Sequence, residues 1–143
     1  MEKFCKMPQE ITNKVTVAAA IINNRGQVLI VKGLRDNAWW LPTTDLLQEE
    51  DEQKGIERLI SQQLPGTRIK INSIIHPFVY ERENILGFYK AFVCSAEGDV
   101  YPPSGESINM TEFVDYNTSR RYNILEMSKK AISQFVQQGI ILS

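Results

Sequence analysis

The chain has one histidine, two cysteines and no surplus of either charge. Each shortage removes a class of chemistry. Cys5 and Cys94 stand far apart and form no C-x-x-C pair, so they read as free thiols in a reducing cytosol. His76 precedes Pro77 with no cysteine or aspartate motif beside it. A Ser-His-Asp or Cys-His mechanism would have to use this one imidazole, which reads instead as structural. A net charge of -1 and a pI near 5.9 leave no basic excess to neutralise nucleic-acid phosphates. No nucleic-acid partner is therefore expected. No stretch approaches the ~20 apolar residues of a membrane span. Met1 to Glu10 lacks the apolar run of a signal peptide, so a cytoplasmic protein without a membrane partner is expected. There is no P-loop, no G-x-G-x-x-G, no zinc-type Cys/His cluster, no internal repeat and no low-complexity segment.

The chain's 143 residues suit one domain. A domain of that size buries roughly 70% of its unfolded surface and needs neither a disulfide nor a structural metal. Lys14 to Ile22 is a β-prone apolar run, and Gln27 to Lys32 is a second strand. Asn23-Asn24-Arg25-Gly26 lies between them, which predicts a hairpin. Trp39 to Leu41 is a short apolar segment stopped by Pro42, which cannot donate to a sheet ladder. Asp45, Glu49, Glu50, Asp51 and Glu52 form an acidic cluster.

A helix is predicted from about Glu52 to Gln63, with Asp51 as N-cap. Its apolar stripe is Ile56, Ile60 and Leu64, and Pro65-Gly66 ends it. Arg68 to Tyr80 and Ile85 to Ala96 read as two long strands joined by a polar turn, Glu81 to Asn84. A short strand is expected within Ile108 to Tyr116. An amphipathic helix is expected over Arg121 to Gln138, in a closing segment 119–139. Strands, helix, strands, helix predict a mixed sheet covered by helices.

The central stretch resembles the Nudix (MutT-like) hydrolase family. That family's box is G-x₅-E-x₇-R-E-U-x-E-E-x-G-U, where U is apolar, and W-x-x-P-G-G precedes it. Here Trp39-Trp40-Leu41-Pro42-Thr43-Thr44 leads into Arg58-Leu59-Ile60-Ser61-Gln62-Gln63-Leu64-Pro65-Gly66. Glu50, Arg58 and Ile60 agree with the box, and Trp39 and Pro42 match its entry. Gly55 falls where the family likes a small residue. Thr44 replaces the loop glycine, Leu59, Gln62 and Gln63 replace the three helix glutamates, and Pro65-Gly66 replaces the closing pair. The resemblance runs from about Val15 to Gly139. It implies an α/β/α sandwich with a mixed sheet: residues 1–13 as an extension, 39–66 as box loop and helix, and 119–139 as the closing helix.

By that resemblance, the helix glutamates would hold Mg²⁺ against a diphosphate and position the attacking water. Positions i, i+3 and i+4 share a helix face. Leu59 offers no ligand, and Gln62 and Gln63 offer only neutral oxygens. Ordinary Mg²⁺ affinity is therefore not expected. The resemblance also implies that Glu50 and Arg58 hold the loop against the helix. The acidic run reads as a solvated helix start; a displaced metal site using Asp45, Glu49, Glu50 or Glu52 is the alternative. Glu106 and Glu112 are candidates to assist from later in the chain. Trp39 and Trp40 point opposite ways if extended, so one is expected in the core, with a pocket position stacking on a nucleobase as the sharper alternative for the other. Arg120-Arg121 reads as surface, with a phosphate contact as the sharper alternative.

Three functions stay open. One is a degenerate Nudix-type protein that binds a nucleotide or nucleoside-diphosphate derivative. Another is an active Mg²⁺-dependent hydrolase with displaced carboxylates. The last is a protein-interaction module, including a homodimer.

Overall fold

A computed structural model describes residues 12–33, 36–75, 77–98, 100 and 110–141. The strands are β1 (Thr12–Ile21), β2 (Val28–Lys32), β3 (Thr43–Asp45), β4 (Ile69–Ile74), β5 (Phe78–Arg82), β6 (Ile85–Ala96) and β7 (Met110–Val114). The helices are α1 (Glu52–Gln63), α2 (Tyr116–Ser119) and α3 (Glu126–Gln137). β1 lies at the centre of a mixed sheet of order β3-β1-β6-β4, with β5 also pairing β6. β1 runs parallel to β6 and antiparallel to β3. β2 pairs with β7 in a second, antiparallel sheet.

Side-chain alternation divides the core. Val17, Ala19 and Ile21 of β1, with Leu29 and Val31 of β2, enter one apolar cluster with Ile56, Leu59, Ile60 and Leu64 of α1. Ala18, Ala20, Val28 and Ile30 enter the other, with Ala131, Ile132 and Phe135 of α3. Both sheets thus lie in one layer between α1 and α3. This is the expected α/β/α sandwich.

Several local expectations are corrected. The predicted β1–β2 hairpin does not form as a ladder. Its turn is present: Asn23 Oδ1 accepts from Arg25 N and Gln27 N, and Gly26 has φ 73°. Only Ile22 and Val28 bridge, however. β3 and β6 already occupy the two edges of β1, so β2 diverges to β7. Arg68 to Tyr80 is two strands, not one. β4 pairs with the C-terminal half of β6 and β5 with its N-terminal half. Glu81 and Arg82 belong to β5, which leaves Glu83 (φ 54°) and Asn84 as the turn.

The chain re-enters the sheet after Pro42 as β3, which the proline had concealed. The closing helix begins at Glu126, not Arg121. Asn123 to Leu125 is held extended beside Trp39: Trp39 N donates to Asn123 O (2.7 Å) and Leu125 N to Trp39 O (2.9 Å). Thr12 and Asn13 likewise belong to β1 and not to an extension.

α1 has the predicted bounds and cap. The Asp51 carboxylate accepts from Lys54 N at 2.8 Å. Its Ile56, Leu59 and Leu64 have no exposed surface. Burial of each such aliphatic side chain stabilises the docked helix by roughly 1.5–3 kcal/mol.

Candidate functional site

The loop from β3 into α1 is organised around one guanidinium. Arg58 Nε donates to Glu50 Oε2 and Nη2 to Glu50 Oε1, both at 2.9 Å. Nη2 also donates to Asp45 O (2.9 Å) and Nη1 to Thr44 Oγ1 (3.2 Å). Glu50 Oε1 accepts in addition from Leu47 N at 3.0 Å. A planar fork meeting a carboxylate through two bonds is the strong form of ion pair. Arg58, and then the Leu47 amide, hold the Glu50 carboxyl down at about 2, well below 4.5. Glu50 in turn raises the Arg58 pKa.

Gly55 completes the latch. A Cβ there would stand 2.3 Å from Leu46 Cδ2, so any larger residue requires the loop's leucine side chain to shift. The loop turns at Glu49, whose φ of 64° is left-handed and whose side chain is exposed.

The other acidic residues are engaged separately. Asp45 accepts from Thr16 Oγ1 at 2.8 Å and pairs with Lys14 at 3.3 Å. Glu52 pairs with Lys90, a lone lysine in the apolar strand β6. That lysine was not singled out from sequence. Its signal was a charge inside an otherwise aromatic and aliphatic run. Among the described residues, no group of three or more His, Cys, Asp or Glu could hold a metal ion.

The three positions that stand for the box glutamates do not share an open face. Leu59 has no exposed surface and packs in the α1-side core. Gln62 is exposed. Gln63 is half-buried: its Nε2 donates to Thr43 O (2.9 Å), while its Oε1 is buried without a partner. Mg²⁺ demands about six oxygen ligands and favours charged ones. One orphaned amide oxygen beside an aliphatic group does not supply them. This donor set does not fit the ion.

Trp39 and Trp40 pack on opposite core clusters, as their alternation requires, but neither is fully buried. Trp39 meets Tyr122 edge to face at 5.2 Å, with Lys32 Nζ 6.0 Å above its ring. Glu112 lies elsewhere, exposed on β7, in an open cleft of about 500 Å³ with Asn23, Asn24, Arg25 and Gln27. Glu106 and His76 lie outside the described residues. Sequence reasoning also missed Ser128. Its buried hydroxyl accepts from Leu41 N at 3.0 Å and lies 3.4 Å from Tyr89 Oη, tying α3 to the segment before Pro42. No described helix is long and apolar enough to cross a membrane.

No protein-family model matches the sequence, and a search of curated proteins finds no match. Solved structures do match. A MutT protein from Methanosarcina mazei Go1 superposes with TM-score 0.73 at 15% identity, over 92% of this chain and 98% of that one. A NUDIX hydrolase from Nitrosomonas europaea gives 0.71 at 13%, over 91% and 92%. A UDP-X diphosphatase gives 0.73 at 18%, over 94% of this chain and 67% of that one. At such identities the likeness speaks for the architecture alone, and the chain has the Nudix fold.

Proposed function

We propose that this Nudix-fold protein is impaired or inactive as a Mg²⁺-dependent pyrophosphohydrolase and serves as a binding or regulatory module for a nucleotide or nucleoside-diphosphate derivative. One observation carries the reading: an aliphatic side chain with no exposed surface, Leu59, stands where the resemblance calls for the first helix glutamate. The neutral Gln62 and Gln63 remove the other two charges. The ligand class rests on analogy with the fold neighbours, which are called a MutT protein and a UDP-X diphosphatase. A displaced carboxylate site using Asp45, Glu49, Glu50 or Glu52 is the weaker reading, because Asp45, Glu50 and Glu52 each already face a cation and Glu49 is left as a single exposed carboxylate. We place the protein in the reducing cytosol, in keeping with Cys94, a free thiol that burial pushes up to about 12.

The test is phosphate release from UDP-sugars, dinucleoside polyphosphates and oxidised nucleoside triphosphates, with Mg²⁺ and with Mn²⁺. No turnover above background is expected. Calorimetry with the same compounds should give equal affinity with Mg²⁺ and with a chelator. Robust turnover that Glu50→Gln abolishes would overturn the proposal. Absence of binding to every nucleotide would leave an interaction module in its place.

A further inference from the structure

On the α3 side of the sheet, away from α1, a cleft of about 230 Å³ opens between α2 and α3. Arg120, Lys129, Tyr116, Tyr122, Ile132 and Ser133 line it. The local sequence accounts for its shape. Asp115 caps α2, accepting from Thr118 N at 2.8 Å, and the helix ends after four residues. The chain then turns, with Arg121 N bonded to Thr118 O and Tyr122 N to Ser119 O. Arg120 and Tyr122 are thereby brought beside α3. Lys129, Ile132 and Ser133 stand at i, i+3 and i+4, one face of that helix.

The two cations in this cleft have no ion-pair partner among the described residues. Lys14, Arg58 and Lys90 each have a carboxylate partner. The Arg120 and Lys129 head groups make no ion pair or side-chain hydrogen bond among the described residues, and no carboxylate lines the cleft. The hydroxyls of Tyr116, Tyr122 and Ser133 are likewise without a hydrogen-bond partner there. Two cationic residues and three hydroxyl-bearing residues therefore line one small cleft. A guanidinium and an ammonium on the walls of one cleft suit a phosphate group.

Size decides what carries that phosphate. The cleft by itself is below the ~300–1,000 Å³ of ordinary ligand pockets, so it takes a phosphate while the rest of the ligand lies outside it. A second groove of about 540 Å³ adjoins it and shares Lys129 and Ser133. Ile124 and Leu125 line that groove, and Leu125 is 51% exposed, so it offers an apolar surface for a stem. Glu126, Lys129 and Lys130 also line the groove, so charges of both signs flank that apolar surface. We propose that the α2–α3 cleft is a binding site for an organic phosphate monoester with an apolar stem.

The test is a titration of the full chain with phenyl phosphate, followed by ¹H–¹⁵N NMR. Saturable shifts are expected at the amides of Tyr116, Ser119, Tyr122 and Ser133. The double variant Arg120→Ala, Lys129→Ala changes only exposed side chains and should retain the dispersed spectrum while binding about tenfold or more weakly. Inorganic phosphate, lacking the stem, should also bind about tenfold more weakly. Phenol, lacking the charge, should give no saturable shift. The proposal fails if shifts map to the Glu112 cleft, if the double variant binds as well as the parent, or if inorganic phosphate matches phenyl phosphate.

Discussion

As far as Arg58, α1 is tied to its surroundings by charge: Asp51 caps it, Glu52 meets Lys90, and Arg58 grips Glu50 across the loop. Beyond Arg58 it is tied by an aliphatic side chain in the core and an amide bond to Thr43 O. In the box pattern both parts are charged. Here only the first part keeps its charges, and the loop still folds against the helix. The loop architecture therefore does not depend on charge in the last turn of the helix. The Arg58 fork needs Glu50, Thr44 and the Asp45 carbonyl, none of which comes from the last turn.

The contrast breaks most visibly at Leu59. A carboxylate at this position would be buried without a partner, so Leu59→Glu should cost about 4 kcal/mol or more, read by urea denaturation. The triple change Leu59→Glu, Gln62→Glu, Gln63→Glu should therefore lose stability before it gains Mg²⁺. A folded Leu59→Glu variant of unchanged stability would show that this position opens on a pocket.

The pH dependence of the loop latch comes next. Folding lowers the Glu50 carboxyl from 4.5 to about 2, so its contribution is complete above 4.5. It is lost as pH falls from there toward 2. The urea midpoint should drop across that window, and Glu50→Gln should flatten the drop; an unchanged slope would mean that other carboxyls govern it.

Smaller effects sharpen the distinction within the last turn. Gln63→Glu replaces a donor to Thr43 O with a group that repels it, for an expected loss of about 1–3 kcal/mol. Gln62→Glu is exposed and should stay within about 0.5 kcal/mol by the same measurement. Equal losses at the two positions would erase the difference in burial on which the contrast rests.

Much of the site could be read from residue spacing. Glu50 lies eight positions before Arg58, and the two do form the latch. The replacement of charged positions by Leu59, Gln62 and Gln63 was equally visible. Their separation into buried, exposed and half-buried was not, because a helical wheel shows which residues share a face and not what lies opposite it. Lys90 and Ser128 stayed hidden for a related reason: their partners, Glu52 and Leu41, are distant in sequence.

Local chemistry alone determined α1 from cap to last residue, since Asp51, the apolar stripe and Pro65-Gly66 act within a few positions of one another. It also determined the alternation that sends neighbouring β1 residues to opposite cores. Strand partnership was decided only in three dimensions. Asn23 to Gly26 makes its turn in either case, but β3 and β6 compete for the edges of β1, and their claims depend on chain segments far from that turn. The late start of α3 has the same origin: Trp39 holds Asn123 to Leu125 extended from more than eighty residues away.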